Sequence, residues 1–227
     1  MGVQAPTEFG IACNSVGYEY VAEIYFCGIR ISLTNHGIKV YNRKEICIMA
    51  YEVISSEKVF KGKVFDIERD VITLPDGRTT SRETVRHNGA CAMIAVDNDG
   101  KILFVRQYRH SAGAMTLEIP AGTLEKGEDP YDCAMRELEE ETGYKTDKMQ
   151  YLVKFYSSIG FCSEILYIYL ADDLKPGNAE PDDDEFIELE RYTVEETIKM
   201  IFDGEIYDSK TIAAVFAYKE WKERNKK

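Results

Sequence analysis

From residue 57 onward, short runs of β-prone residues are separated by turn residues, whereas residues 1–48 show only weak periodicity. Two of the breaks are strong turn signals, LPDG at 74–77 and DNDG at 97–100. The runs predict strands at 63–73, 78–87, 90–96, 101–107, 115–119, 150–156, 164–171 and 186–192. Loops are predicted at 157–163 and 174–184.

Two helices are predicted after the last strand, each at a residue that commonly caps the start of a helix. Thr193 and Glu196 form a capping box at the start of a helix that runs to residue 200. Asp208 suits the start of a final amphipathic helix that ends near residue 223. Strands and helices are mixed without a regular βαβ alternation, so the expected fold class is α+β, or a mixed sheet between helices.

The first 48 residues differ from the rest of the chain. They contain three of the six cysteines, and their short β-prone pieces at 18–26, 29–33 and 37–41 are separated by polar breaks. Met49 opens the segment with clearer signals. Either translation starts naturally at Met49, or the first 48 residues form a short added β element that packs on the domain. We expect no functional residues there.

A third helix is predicted inside the stretch from Gly122 to Tyr144. Asp129 and Pro130 suit its start, since proline is tolerated in the first turn, and Gly143 suits its C-terminal cap. An apolar stripe lets the helix dock on a core while it still exposes its acids; the stripe consists of Tyr131, Ala134, Met135 and Leu138.

Three acids of this helix share one face. At about 100° per residue, Glu137, Glu140 and Glu141 fall together, and Glu139 falls on the opposite side. Carboxylates at this spacing repel each other, so a cation among them is expected. Oxygen ligands indicate a hard ion, Mg²⁺ first and Mn²⁺ second. The alternative is an ordinary solvated acidic face, and the helix alone does not decide between the two.

The charge balance excludes several classes of partner. The chain of 227 residues is 44% hydrophobic, enough for a sizeable core, and its formal net charge of −12 argues against nucleic-acid binding and against an anionic membrane surface. The same charge would repel a phosphate substrate, so a site for one needs local cations. The six cysteines form no CxxC pair or zinc spacing, so free thiols in a cytoplasmic protein are expected. No apolar run reaches the length of a membrane span, and no signal peptide is evident.

The stretch around the acidic helix resembles the Nudix box. The matching positions are Gly122, Glu128, Arg136, Glu137, Leu138, Glu140, Glu141 and Gly143, and Tyr144 departs mildly from the usual aliphatic residue. From about Met49 onward the chain is similar to the ADP-ribose pyrophosphatase branch of Nudix hydrolases. That similarity rests on the segments at 82–83, 87–89, 107–109, 118–122, 160–161, 164 and 208–211.

The resemblance implies a Nudix fold, in which a mixed β-sheet is sandwiched between helices (α/β/α) beside an N-terminal antiparallel β subdomain. The expected parts are an N-terminal β region for dimerisation and substrate binding at 49–90 and the Nudix hydrolase domain at 91–227, with an extension at 1–48 outside the resemblance. The resemblance also implies a homodimer in which the N-terminal strands swap onto the partner.

The resemblance assigns the box residues to metal binding and to the support of the helix. Glu137 and Glu141, one turn apart, are the best-placed metal ligands, Glu140 is the third, and the carbonyl of Ala121 is a further candidate. Arg136 is expected at the edge of the carboxylate face and is counted among the catalytic residues, where it orients the helix and its loops rather than touching substrate. The remaining box residues have structural roles: Glu128 as the partner of Arg136, together with Gly122 and Gly143.

A general base must deprotonate the attacking water. In the ADP-ribose branch this base resembles a glutamate on a loop after the box, and the matching residue is Glu164. Ile159 stands in that loop where the branch commonly has proline, which puts the exact substrate in doubt. The alternative base is a glutamate of the box, with Glu140 also assigned a catalytic role.

Substrate recognition needs cations and flat surfaces. The resemblance places Arg109 near the phosphates, Arg82 on the substrate from the partner subunit, and Glu118 among the substrate-binding residues. Phe60 or Phe65 would stack on adenine. Lys210, near the final helix, is interpreted as structural, in capping or in a dimer contact.

The predicted activity is Mg²⁺-dependent hydrolysis of ADP-ribose to AMP and ribose 5-phosphate. One alternative is another nucleoside diphosphate sugar, such as ADP-glucose or GDP-mannose. A second alternative is a Nudix sensor that binds ADP-ribose without cleaving it. Such sensors usually have degraded box acids, and this chain retains all of them.

Overall fold

The structure is a computed structural model that describes residues 51–180 and 186–226, together with the backbone of 10–16, 19–26, 29–34 and 37–42. The chain divides into two compact units, one with residues 1–57 and 69–83 and the other with 58–68 and 84–227. The predicted start at Met49 and part of the predicted loop at 174–184 lie outside the described residues. The predicted domain boundaries stay predictions.

The first unit begins with a four-stranded antiparallel sheet in which each strand pairs with the next. Its strands are β1 (Gly10–Val16), β2 (Glu19–Phe26), β3 (Ile29–Thr34) and β4 (Gly37–Asn42). The last three coincide with the β-prone pieces of the sequence, and β1 was not predicted.

A three-stranded sheet follows in the order β5 (Glu52–Lys61), β6 (Asp66–Thr73) and β7 (Thr79–Arg86), and the division between the two units runs through it. The predicted turn at 74–77 is present, with Gly77 at φ +85° and its N–H donating to the carbonyl of Leu74. Strand β5 was missed because its side chains are exposed along its whole length, so no buried face imposes a pattern.

The second unit contains the remaining strands and all the described helices. The strands are β8 (Ala90–Ala95), β9 (Ile102–Arg109), β10 (Ala114–Glu118), β11 (Ala121–Thr123), β12 (Tyr144–Lys145), β13 (Met149–Tyr156), β14 (Ile165–Ala171), β15 (Lys175–Pro176) and β16 (Glu188–Tyr192). The helices are α1 (Pro130–Thr142), α2 (Val194–Asp203) and α3 (Ser209–Arg224). A mixed sheet has the order β11-β8-β14-β13, with β8 and β14 parallel, and an antiparallel sheet has the order β10-β9-β16.

Helices cover both faces of the mixed sheet. Because side chains alternate along a strand, Cys91, Met93 and Ala95 of β8 pack in one buried cluster with Leu138 of α1. The intervening alanines and Ile94 of β8 pack in a second cluster with residues of α3. Strand β8 is therefore buried on both faces, and the predicted α+β fold with a mixed sheet between helices is confirmed.

The predicted helix starts are confirmed. The side chain of Asp129 accepts a hydrogen bond from the N–H of Tyr131 at the start of α1, and Gly143 ends the helix at φ +68°. The capping box of Thr193 and Glu196 begins α2, which ends three residues later than predicted. Within the described part of the chain, no helix is long and apolar enough to cross a membrane.

Candidate active site

One face of α1 opens onto a cavity of about 730 Å³. The acids that line this cavity include Glu137, Glu140, Glu141 and Glu164. The cations that line it include Arg109, Arg136 and Lys210. The cavity therefore brings together the acidic face of the helix and several of the predicted phosphate-binding and catalytic residues.

The Glu137 carboxylate lies directly against the backbone of Gly122 on β11. A Cβ atom at Gly122 would stand 1.8 Å from Cδ of Glu137 and 1.9 Å from its Oε1, so any side chain at this position would displace the carboxylate. The glycine at the start of the box is thus needed for close approach between strand and helix, because its φ does not lie in the left-handed region.

Glu141 ties the same strand to the helix. It is 7% exposed, and its Oε2 accepts a hydrogen bond of 2.8 Å from the N–H of Ala121. Ala121 in turn pairs with Ala92 on β8. A rigid strand therefore orients this carboxylate, which is a useful property in a metal ligand. The predicted role of the Ala121 carbonyl as a ligand stays a prediction.

Arg136 lies among the carboxylates. Its Nε and Nη2 donate to the two carboxylate oxygens of Glu128 at 3.1 and 3.2 Å. Its Nη1 donates to Glu137 at 2.7 Å and to Glu140 at 2.8 Å. The expected pair with Glu128 is present, but the guanidinium also reaches into the face instead of staying at its edge, because two helix neighbours are within its reach.

The electrostatics of this cluster follow from its contacts. Burial alone would lower the pKa of Arg136, but the hydrogen bonds and charges of the surrounding carboxylates raise it. The hydrogen bond from Arg136 lowers the pKa of Glu128 below its ordinary value. Both groups therefore stay charged near neutral pH, and Glu128 also accepts the N–H of Glu125 at 2.8 Å, which braces the loop before α1.

The donor set fits a divalent cation in its chemistry, since Glu137, Glu140 and Glu141 line one cavity and Gly122 lets Glu137 lie against the strand. In the present arrangement two of these carboxylates hold the guanidinium of Arg136. Among the described residues, no three His, Cys, Asp or Glu side chains converge into a ready metal-binding group. A metal on this face would therefore compete with Arg136 for Glu137 and Glu140.

Glu164 follows the predicted loop at 157–163, between β13 and β14. The loop is anchored to β7, since the N–H of Val85 donates to the Phe161 carbonyl at 2.8 Å and the N–H of Ser163 donates to the Val85 carbonyl at 2.9 Å. Ile159 is 78% exposed on this loop. The loop thus holds Glu164 at the cavity, while its role as general base stays a prediction.

His87 is a neighbour of Glu164 that the sequence did not identify. Its Nδ1 lies 3.4 Å from Oε1 of Glu164 and accepts the N–H of Gly89 at 3.1 Å. The one signal for it in the sequence is the His87-Asn88-Gly89 segment, which also carries part of the family resemblance.

Glu118 is 3% exposed and holds two cations. Nε and Nη2 of Arg109 each donate to it at 2.8 Å, and the ammonium of Lys210 donates to the same carboxylate. Arg109 and Lys210 line the cavity, whereas Glu118 is not among the described residues that line it. A role of Glu118 in substrate binding would therefore act through these two cations.

The remaining predicted substrate residues lie on β5, on β7 and in the turn between β5 and β6. Arg82 is on β7 in the first unit, where its Nη1 donates to Thr80 Oγ1 at 3.2 Å and to the Ser81 carbonyl at 2.9 Å. Phe60 and Phe65 form a tilted ring pair with centroids 6.0 Å apart, and both are partly exposed. Their predicted contacts with substrate stay predictions.

Comparisons with known proteins agree with this site. The NUDIX domain family model matches residues 85–215. The chain is 47% identical over 166 residues to the methanol dehydrogenase activator of Bacillus methanolicus, covering 72% of this chain and 90% of that protein. It is 43% identical, also over 166 residues with the same coverage, to the ADP-ribose pyrophosphatase of Bacillus subtilis (strain 168).

A solved structure shares the fold. A crystal structure of an ADP compounds hydrolase superposes with a TM-score of 0.69 at 24% sequence identity, covering 78% of this chain and 96% of the other. The family match covers more than half of the chain and includes the acidic helix, the loop before it and Glu164. The chain therefore belongs to the Nudix family.

Proposed function

We propose that the chain hydrolyses the pyrophosphate bond of a nucleoside diphosphate sugar, with ADP-ribose giving AMP and ribose 5-phosphate. The observation that carries this proposal is the single cavity lined both by the acids of α1 and Glu164 and by Arg109 and Lys210. The 43% identity to an ADP-ribose pyrophosphatase over 90% of that protein's length supports the substrate class.

Nudix hydrolases generally depend on divalent metal ions. We propose Mg²⁺, with Mn²⁺ as a substitute, held by Glu137, Glu140, Glu141 and the carbonyl of Ala121. Such an ion, when bound, offsets the phosphate charge and acidifies a bound water. Arg136 holds Glu137 and Glu140 when the ion is absent and, through Glu128, fixes the helix to the loop that precedes it.

The protein's own groups carry the rest of the reaction. Glu164 accepts the proton of the attacking water, whose oxygen bonds to one phosphorus as the P–O–P bridge breaks. The released phosphate takes the bridging oxygen, so one water is consumed and two phosphate monoesters form. Arg109 binds phosphate oxygens, and a phenylalanine of the β5–β6 region, Phe60 or Phe65, stacks on the base. Arg82 of the proposed dimer binds the same substrate from the partner subunit.

The proposed assembly is a homodimer with swapped N-terminal strands. Exposed apolar side chains on β5 support it, because Val53 and Ile54 are more than half exposed. Light scattering on the full chain should give twice the mass of 25.9 kDa.

A cytoplasmic location is proposed because the described cysteines are free thiols, as expected in a reducing compartment. Cys91 and Cys133 are buried free cysteines with Sγ atoms 3.0 Å apart. Their mutual hydrogen bond, with burial, raises the pKa of Cys91 and keeps the thiol protonated.

A phosphate-release screen tests the proposed activity. The chain with Mg²⁺ is incubated with ADP-ribose, ADP-glucose and GDP-mannose, and added phosphatase converts the monoester products to phosphate. Turnover of one of these sugars is expected, and turnover of none would favour a sensor that binds without cleaving. Glu164→Gln should lower kcat more than it raises KM; a defect in binding alone would remove Glu164 as the base.

A second candidate function is activation of methanol dehydrogenase, which the name of the 47% identical relative favours. It is tested by measuring the initial rate of a methanol dehydrogenase with and without the chain, both with wild type and with Glu141→Gln. An increase that disappears in the variant would show that activation depends on the same acidic face. No increase would remove this candidate.

A further inference from the structure

The cavity wall formed by Arg109 and Lys210 contains a cation that the sequence treated as structural. Lys210 is the second residue of α3, and its side chain is 12% exposed. It nevertheless lines the same cavity as Glu137, Glu140 and Glu141. Its small exposed portion therefore belongs to the candidate active site.

One buried carboxylate aligns both cations. Glu118 accepts both hydrogen bonds of the Arg109 fork, the ammonium of Lys210 and the hydroxyl of Thr116, the last at 2.7 Å. Burial alone would raise the pKa of Glu118, but these donors and the charge of Lys210 lower it to about 2. The carboxylate is thus ionised at working pH, beneath the two side chains that reach the cavity.

Donors remain on both cations after these contacts. A guanidinium has five N–H groups and an ammonium has three. Within the described residues, Glu118 takes two from Arg109, and Glu118 and Asp208 take one each from Lys210, the latter at 3.1 Å. Three N–H groups of Arg109 and one of Lys210 are left for a ligand with oxygen acceptors.

Capping of α3 does not account for Lys210. Asp208 already accepts the N–H of Thr211 at 3.0 Å and its hydroxyl at 2.6 Å, which satisfies the cap. A cation in the first turn of a helix is also unfavourable, because the N-terminal end of the helix dipole is positive. Its ion pairs with Glu118 and Asp208 offset this unfavourable position, so the lysine is held at the cavity by its partners and is not needed for the cap.

We propose that Lys210 is a substrate-contact residue whose ammonium binds the pyrophosphate oxygens together with Arg109, and that Glu118 is the positioning residue for both cations. This inference rests on the proposed function for the class of substrate. Two donors of different shape on one carboxylate form a rigid clamp, so little side-chain entropy is lost when an anion binds.

The first test measures binding of ADP-ribose to the full chain in EDTA by calorimetry, so that no metal contributes. Lys210→Met keeps the apolar stem and removes the charge, and it should weaken binding about tenfold or more, the loss of one charge-assisted hydrogen bond. Lys210→Arg should restore most of the affinity. The control is Lys199→Met, since Lys199 is 77% exposed on α2 and pairs only with Asp203 in the described chain.

The variant Glu118→Gln distinguishes two possible effects of Glu118 on binding: the positioning of Arg109 and Lys210, and simple repulsion of the anion by its charge. Removal of a negative charge near an anion site should strengthen binding if only Coulomb attraction matters. If Glu118 positions the two cations, the same variant should weaken binding and raise KM more than it lowers kcat. Stronger binding by Glu118→Gln would overturn the positioning role.

A crystal structure of the wild type with ADP-ribose in EDTA gives a test that needs no variant. A phosphate oxygen within about 3.2 Å of Nζ of Lys210 is expected. Unchanged affinity in Lys210→Met, or phosphates far from Nζ, would overturn the inference even if the wild type hydrolyses ADP-ribose. Binding with the expected Lys210→Met loss but no turnover would overturn only the proposed hydrolysis. No binding by the wild type in EDTA would overturn the inference, and the phosphate-release screen with Mg²⁺ would then decide the proposed hydrolysis separately.

Discussion

The two faces of α1 carry the same kind of side chain in the same kind of packing. On one face, Glu137 lies against Gly122, where a Cβ would stand 1.8 Å from its Cδ. On the other face, Glu139 lies against Gly177, where a Cβ would stand 2.6 Å from its Oε1. Each glutamate therefore approaches a backbone that has no side chain at that point.

The faces differ in what surrounds each carboxylate. Glu139 accepts the N–H of Asn178 at 3.2 Å, and its carboxylate lies 3.7 Å from Nζ of Lys145. The charge of Glu139 is therefore balanced by that of Lys145. Glu137 shares its face with two further acids and one guanidinium. Excess negative charge around a cavity, and not the residue type, therefore distinguishes the candidate functional face from the face of Glu139.

The largest expected effect comes from removing one charge on each face. Glu141→Gln should lower turnover by about a thousandfold, roughly 4 kcal/mol of transition-state stabilisation, because it weakens the proposed metal site. Glu139→Gln is the matched control and should stay within about twofold of wild type. Steady-state kinetics, with circular dichroism to check the fold, measure both. Near-normal activity of Glu141→Gln would refute its assignment as a ligand.

The next effect comes from adding a methyl group on each face. Gly122→Ala forces the Glu137 carboxylate away from the strand, and a displacement of about 1 Å at a catalytic group costs about a hundredfold in rate. Overpacking should also lower the free energy of unfolding by about 1–3 kcal/mol.

Gly177→Ala meets only the far end of an exposed side chain. Glu139 is therefore expected to swing into solvent and leave turnover unchanged. The two variants are compared at equal folded fraction, which is taken from their urea unfolding curves. Equal loss of activity in both would break the distinction between the faces.

A pH-dependent effect on stability, with no direct effect on the proposed metal site, distinguishes Glu118 from the acids of the helix. Its pKa is lowered from 4.5 to about 2 in the folded protein, which corresponds to about 3 kcal/mol of stability. Because the folded pKa is the lower one, this stability is present above pH 4.5 and is lost as the pH falls toward about 2. Glu118→Gln should be destabilised near pH 7, and the difference from wild type should shrink below pH 4.5. Urea unfolding at several pH values measures it; a constant difference would contradict the prediction.

The smallest effect is expected at a helix whose start lies away from the cavity. Thr193→Ala removes the side chain that accepts the N–H of Glu196 at 3.2 Å, so α2 loses its capping box. The melting temperature should fall as expected for about 1 kcal/mol, with turnover unchanged. A loss of activity would mean that the end of α2 is coupled to the site.

Much of the fold could be predicted because its signals are local. The turn at 74–77 and the starts of α1, α2 and α3 depend on neighbours within a few residues, and all were found. The short strands β11, β12 and β15 were missed because two or three residues carry no periodicity. They exist because distant strands and loops offer backbone partners.

The candidate site was predicted only in part, because some of its contacts are local in the sequence and others are not. The shared face of Glu137, Glu140 and Glu141 follows from helical geometry and from the box. The contact of His87 with Glu164 joins residues 77 positions apart, and that of Lys210 with Glu118 joins residues 92 apart, so no local pattern could indicate either.

The caps, the turns, the acidic face of α1 and the family could be recognised in the amino-acid sequence, since each depends on residue types at short or fixed spacings. The close approach of Glu137 to Gly122, the position of Arg136 among the acids and the burial of Glu118 beneath Arg109 and Lys210 became visible only in the folded chain. They could not be predicted because close packing, desolvation and shared hydrogen bonds arise between elements that meet only after folding.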